Sequence, residues 1–216
     1  MSLGIQFDLR RTALTKITAL FWDVGGVLLT NAWDRAQRKQ ALDHFGLDQA
    51  EFDERHDMVI SSFERGKIGM QEYLERTVFY RPRPFTPDAF KYYMLTLSQP
   101  NPPALDLARS LANSGKYLMA TINNESTEIN LYRIQAFGLH SIFDLFLSSC
   151  FVGLRKPEKP IYRLALDIIQ RPPEQCCFID DRALNLECAA RLGMRVIHME
   201  GPDHLRNQLQ TLGVTS

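Results

Sequence analysis

Short apolar runs and longer amphipathic stretches divide the chain into a few kinds of element. The first run, Ile17-Thr18-Ala19-Leu20-Phe21-Trp22, is β-branched and aromatic without polar alternation, which predicts a strand buried on both faces. Asp23 ends it, and Gly25-Gly26 allows a sharp turn with the backbone close to a ligand. The pattern then becomes helical. Asp34 to Phe45 carries apolar positions at Ala41, Leu42 and Phe45 and stops at Gly46; a second helix runs from Asp48 or Gln49 to about Arg65, ended by Gly66. Two more are expected, from Gln71 to Phe79 capped by Gly69, and from Asp88 to Leu97 after Thr86-Pro87. From Ala104 onward strands at 117–121, 144–149, 176–179 and 195–198 alternate with helices ending at Asn113 and spanning 126–137, 160–169, 184–192 and 204–212. This alternation predicts the α/β class with a Rossmann-like, doubly wound parallel sheet. The consecutive helices form an insert over 31–100, closed by Pro100-Asn101-Pro102-Pro103, and the sheet domain takes 1–30 and 101–216.

Polar chemistry gathers at the ends of the apolar runs. Asp23 follows the first, Thr121 with Ile122-Asn123-Asn124 the second, Lys156-Pro157 comes a loop after the third, and Asp180-Asp181 closes the fourth. A parallel sheet delivers such groups to one edge, where α/β folds bind ligands. A carboxylate, a hydroxyl, an ammonium and paired carboxylates are suited to moving a phosphoryl group with a divalent metal. Each alone has a plainer reading: a turn-forming aspartate, a strand threonine, a solvated lysine, a helix-capping acidic pair.

In that order, the four groups resemble the motifs of the haloacid dehalogenase superfamily. The stretches Gly153-Leu154-Arg155-Lys156-Pro157-Glu158-Lys159-Pro160-Ile161-Tyr162 and Phe178 to Met194 are similar to its third and fourth motifs, in the branch with a helical cap. The resemblance implies a phosphatase in which Asp23 attacks phosphorus and becomes an aspartyl-phosphate. It implies magnesium held by Asp23, the Gly25 carbonyl and Asp180 or Asp181, with Asn185 orienting a ligand or a water. Thr121 and Lys156 would hold the phosphate, the N–H of Ile122 would point at it, and Asn124 with Arg155 and Arg182 would lie near the substrate. Trp33, just past the first motif, is the leading specificity candidate, and the insert supplies further aromatic and basic residues. Among these, Phe79-Tyr80-Arg81-Pro82-Arg83-Pro84-Phe85 reads as a substrate loop or a dimer contact.

One position departs from the family pattern. Gly25 stands where most phosphatases of the superfamily carry a second aspartate that protonates the leaving group, a loss that typically removes on the order of 10²–10⁴-fold in rate. Either the substrate has a good leaving group, such as an acyl, aryl or sugar 1-phosphate, or another group or the substrate itself supplies the proton. Dehalogenation, which needs no paired metal ligands, and a weakly active protein that binds a phosphorylated ligand or partner are the competing readings.

Charge and composition narrow the partners. Twenty-five basic and 25 acidic residues among 216 leave no net field to attract nucleic acid or anionic lipid, so the expected partner is a small phosphorylated molecule bound locally, by a monomer or homodimer. Cys150, Cys176, Cys177 and Cys188 lack metal-ligand spacing and read as reduced thiols. No run is long and apolar enough to span a membrane. Asp8, Arg10, Arg11 and Lys16 stand where a signal peptide would be apolar, so a cytoplasmic location is expected, with Met1-Ser2-Leu3 as an expression remnant.

Overall fold

In a computed structural model, which describes residues 15–216, β1 (Ala19–Trp22) is fully buried and pairs in parallel on both sides. The readings made on Met1-Ser2-Leu3, Asp8, Arg10 and Arg11 lie outside the described residues. β1 lies between β2 (Leu118–Asn123) and β4 (Cys176–Asp180), with β3 (Leu145–Ser148) and β5 (Arg195–His198) at the edges. The order β3-β2-β1-β4-β5 is a five-stranded parallel sheet. Its winding reverses between β1 and β4, the crevice in which doubly wound sheets hold ligands.

Helices cover both faces. Leu20, Trp22, Met119, Cys177, Ile179 and Ile197 point to one, against α5 (Pro102–Asn113) and α10 (Pro202–Thr211). Ala19, Phe21, Ala120, Ile122, Cys176 and Phe178 point to the other, against α8 (Lys159–Ile169) and α9 (Ala183–Ala190). Alternate residues of one strand thus feed opposite layers, and the adjacent thiols Cys176 and Cys177 part accordingly. Each large side chain fully buried in this way contributes roughly 1.5–3 kcal/mol. α6 (Thr127–Ala136) connects β2 towards β3 and buries Ile129, Asn130 and Arg133.

Between β1 and α5 the chain forms α1 (Arg35–Phe45), α2 (Gln49–Glu64), α3 (Met70–Thr77) and α4 (Pro87–Thr96). The stop at Gly46 and the starts after Gly69 and Thr86-Pro87 were readable in advance; Asp34 and Asp48, read as helix starts, are N-caps. Asp34 accepts from the N–H groups of Ala36 and Gln37, Asp48 from that of Glu51, and Gly46 closes α1 in the left-handed conformation at φ 63°. These helices enclose their own apolar cluster, with Phe52, Phe63, Tyr73, Phe90 and Met94 buried. The described residues contain no helix long and apolar enough to cross a membrane.

The one-turn α7 (Ser149–Val152) was not expected; the sequence reading carried the strand to 149. Here the end of α2 meets the segment that follows β3. Ser149 donates to the Glu64 carbonyl at 2.6 Å, Arg65 bonds the Gly153 carbonyl and pairs with Glu158, and Arg155 pairs with Glu64. Gly66 has φ +66°, and a Cβ there would lie 2.3 Å from the Cys150 carbonyl oxygen. Gly66→Ala therefore combines left-handed strain with a backbone clash and is expected to cost about 2–4 kcal/mol, read as a fall in thermal midpoint. A midpoint within a degree of wild type would mean that α2 does not dock tightly here.

Candidate active site

The sheet register sets which side chains meet. Asp23 follows β1 directly, its N–H donating to the Ile179 carbonyl at 2.8 Å, so its carboxylate emerges beside the end of β4. Asp180 closes β4, and Asp181 begins the turn into α9. A carboxylate oxygen from each of the three lies within 4.8 Å of the others.

Lys156 ties two of them together. It reaches the site from the loop after α7, where Asn124 holds its backbone from both sides: Nδ2 donates to the Lys156 carbonyl at 2.9 Å, and Oδ1 accepts from the Lys156 N–H at 2.8 Å. The ammonium sits 2.8 Å from Asp23 Oδ1 and 2.6 Å from Asp180 Oδ2. Asn185 donates to both Asp180 oxygens, at 2.9 and 3.0 Å, and the Arg182 N–H to Oδ1 at 2.8 Å. Asp180 is thereby fixed, while Asp181 Oδ1 is buried without a partner. Gly26, at φ +74°, makes room for Asp181: a Cβ there would fall 2.1 Å from its Oδ2.

Charge at this edge is unbalanced. With all three carboxylates ionised, one ammonium leaves two negative charges in a nearly dry site. Burial, joined by the charges of Asp180 and Asp181, outweighs Lys156 and pushes the Asp23 carboxyl up to about 7. Burial and the Asp180 charge raise Asp181 as well. Burial alone would lower the Lys156 ammonium, but Asp23 and Asp180 more than offset it, so it stays protonated. A divalent cation is the natural complement to such a donor set: hard oxygen ligands, excess negative charge and an orphaned carboxylate oxygen.

Above these groups lies a cavity of about 410 Å³, lined by Asp23, Gly25, Asn124, Lys156 and Asn185 below and by Trp33, Arg35, Arg38, Phe63 and Glu64 above. Arg155 and Arg182 also reach it. Trp33 presents an edge only. Its indole N–H is spent on the Tyr73 hydroxyl at 2.7 Å, and its ring packs edge-on against Phe52 and Phe90. The 79–85 segment does not line this cavity. Tyr80 is instead covered by the Arg55 guanidinium at 3.4 Å, with Arg81 and Arg83 nearby, and Phe79 and Phe85 pack inward.

Thr121 requires a correction. It pairs in register with Trp22, one residue before Asp23, so strand alternation turns it to the opposite face of the sheet. There it is fully buried with its hydroxyl unpartnered, away from the cavity. Ile122 stands level with Asp23, with its side chain buried in the layer under α8. The hydroxyl assigned to phosphate is therefore absent from this edge.

Two residues overlooked in the sequence do line the cavity. Glu125 and Arg133 form a buried ion pair at 3.2 Å, side chains 8% and 2% exposed. A signal existed: Arg133 falls four residues after Ile129 on the inward face of α6, an expensive place for an unpaired charge.

Residues 17–193 match the family model described as haloacid dehalogenase-like hydrolase. The chain belongs to this family. Among curated relatives it is 26% identical over 212 residues to bifunctional epoxide hydrolase 2 of Sus scrofa, covering 90% of this chain and 38% of that protein. It is 29% identical over 169 residues to flavin mononucleotide hydrolase 1 of Arabidopsis thaliana, covering 74% of this chain and 64% of the relative. The chain thus spans less than two thirds of the length of either. Among solved structures, a HAD family enzyme of Bacteroides thetaiotaomicron superposes with a TM-score of 0.76 at 21% identity, over 88% of this chain and 98% of that one. The same enzyme has been crystallised with magnesium and inorganic phosphate, and in that form superposes with a TM-score of 0.71 at 20% identity, again over 88% of this chain and 98% of that one. A dehalogenase shares the fold at a TM-score of 0.65 and 18% identity, over 94% of this chain and all of the other.

Proposed function

We propose that this member of the haloacid dehalogenase-like hydrolases is a magnesium-dependent phosphatase acting on a small phosphorylated metabolite. The observation that carries the reading is the set of three carboxylates sharing one buried ammonium at the sheet's switch point. Asp23, which lines the cavity, is the nucleophile, and Lys156 orients it and meets the incoming phosphate. Asp23, the Gly25 carbonyl, Asp180 and Asp181 would hold magnesium, which when bound neutralises phosphate charge. Asn185 keeps Asp180 from turning away. The phosphate-holding role considered for Thr121 passes to Lys156 and to the backbone N–H groups that follow Ile122 at the end of β2.

Residues 31–100 serve in this reading as a cap over a core of 1–30 and 101–216. The bonds from Glu64 and Arg65 to the 149–158 segment hold it against the edge and limit water. A 410 Å³ cavity suits a metabolite such as a sugar phosphate rather than a polymer. The dehalogenase reading gains nothing from an acidic cluster this dense.

The test is phosphate release from aryl, sugar and nucleotide phosphates, with flavin mononucleotide included because the Arabidopsis relative is named for it. Turnover is expected with magnesium and is expected to fall to background in chelator. Turnover that persists in chelator, or halide release from 2-haloacids there, would overturn the reading. Tight magnesium-dependent phosphate binding without turnover on any member would turn it into a binding protein.

A further inference from the structure

The position left bare by Gly25 is occupied by a different kind of charge. A side chain started at Gly25 would place its first carbon 2.9 Å from Asn31 Oδ1 and 3.6 Å from Arg133 Nη1. An amide and a guanidinium thus fill the volume that a longer residue two positions after Asp23 would use. Arg133 is held firmly. Its Nη1 donates to Glu125 Oε2 at 3.2 Å, its Nη2 to the Thr30 carbonyl, and Glu125 is braced in turn by the Ser126 N–H at 2.9 Å. Of the five N–H groups of a guanidinium these bonds use two, and the buried Nε has no partner. Arg133 nevertheless lines the same cavity as Asp23 and Lys156. A buried, braced cation with unused donors beside the nucleophile is arranged to meet negative charge that arrives during the reaction.

We propose that Arg133 takes the place of the missing general acid by stabilising the leaving oxygen as an anion rather than protonating it. The inference rests on the phosphatase reading. As an Asp23 oxygen bonds to phosphorus, the bond from phosphorus to the ester oxygen breaks and its electron pair stays on that oxygen. The product leaves as an alkoxide or phenolate hydrogen-bonded to Arg133 and takes its proton from water. Arg133 gives up none: burial lowers its guanidinium from the usual arginine value, with Glu125 and Asp23 opposing, but an arginine starts so far above neutrality that it stays charged throughout the working pH range. Glu125 is a positioning residue that aims the guanidinium. Burial holds its carboxyl up, to about 7, against the pull of Arg133. Stabilising a charge is less complete than neutralising it, so the enzyme should favour acidic leaving groups and depend on Arg133 most where the leaving oxygen is most basic.

The experiment measures kcat/KM over aryl and alkyl phosphates of graded leaving-group acidity for wild type, Arg133→Gln, Arg133→Lys and Glu125→Gln. Thermal midpoints and inhibition by inorganic phosphate are recorded beside it. Arg133→Gln is expected to lose roughly 10²–10³-fold on alkyl phosphates and less than about tenfold on the most acidic phenols, the size of a lost transition-state donor. Inhibition by phosphate should hold within a few fold, and Arg133→Lys should recover part of the alkyl rate. A uniform loss across the series, or one confined to KM, would overturn the inference in favour of a binding or structural role. An alkaline fall in kcat/KM that vanishes in Glu125→Gln would overturn it in favour of Glu125 as proton donor. Should Arg133→Gln not fold, Arg133→Lys and the wild-type slope decide: a wild-type kcat/KM indifferent to leaving-group acidity refutes the inference. Absence of any magnesium-dependent turnover by wild type would sink the phosphatase reading and this inference together, whereas turnover with a uniform loss sinks only the second.

Discussion

Asp23→Asn is expected to abolish turnover, by at least about 10⁴-fold in kcat, while leaving the fold intact and more stable at alkaline pH. The first effect follows from chemistry: a carboxamide oxygen does not attack phosphorus at a useful rate, and in the proposed arrangement the other two carboxylates, Asp180 and Asp181, are given to the metal. The second follows from the electrostatics. The wild-type carboxyl is held up at about 7 by burial and by Asp180 and Asp181, well above its value in an unfolded chain. Between the unfolded value and 7 the folded state keeps a proton that the unfolded state releases. Without magnesium, the stability that this proton contributes is therefore present at acid pH and lost as pH rises through that window. The asparagine variant lacks that slope. Thermal midpoints in chelator at about pH 5 and pH 8 should converge at the lower value and favour the variant at the higher one. Residual activity within tenfold of wild type would remove Asp23 from the nucleophile's role. A wild-type midpoint flat across the range would remove the charge argument.

The sequence and the structure part company at the level of single side-chain directions. Element order and parallel winding were legible because each strand is a short run bounded by turn residues, and the helices of the 35–96 region are punctuated by Gly46, Gly66, Gly69 and Thr86-Pro87. The acidic and basic groups at the strand ends were legible for the same reason. Thr121 was misread because motif spacing does not fix the phase of a strand. A shift of one residue sends the hydroxyl to the α5 side of the sheet while Asp23 and Ile122 share the other. Asn124 was placed near substrate and does line the cavity, but its amide also holds the backbone of Lys156, a contact 32 residues distant in sequence that no local pattern encodes. The Glu125–Arg133 pair escaped notice because charged residues after a strand and within a helix are ordinarily solvated. Only the packing of α6 against the loop that follows β1 makes them internal.

Lys156 should be the residue whose loss most damages stability and activity together. Its side chain is 2% exposed, and the ammonium lies between Asp23 and Asp180, 5.4 Å from the Phe178 ring centroid, so no water replaces it easily. In Lys156→Met the apolar stem remains and the charge goes, leaving three carboxylates within 4.8 Å of one another. Breaking a buried ion pair from one side costs about 3–5 kcal/mol. In a domain of this size that is a fall of roughly 6–20 °C in thermal midpoint. Partial protonation of the carboxylates softens the loss at low pH, so the deficit should widen as pH rises. Magnesium should narrow it, because a cation among Asp23, Asp180 and Asp181 then takes over the balancing that the ammonium did, and its stabilising effect should exceed that in wild type. Turnover is expected to fall by roughly 10²–10³-fold even with magnesium saturating, since the ammonium proposed to meet the phosphate is gone. A Lys156→Met protein as stable as wild type in chelator would mean that the carboxylates are already protonated or solvated. The excess negative charge that argues for a metal at this edge would then not exist.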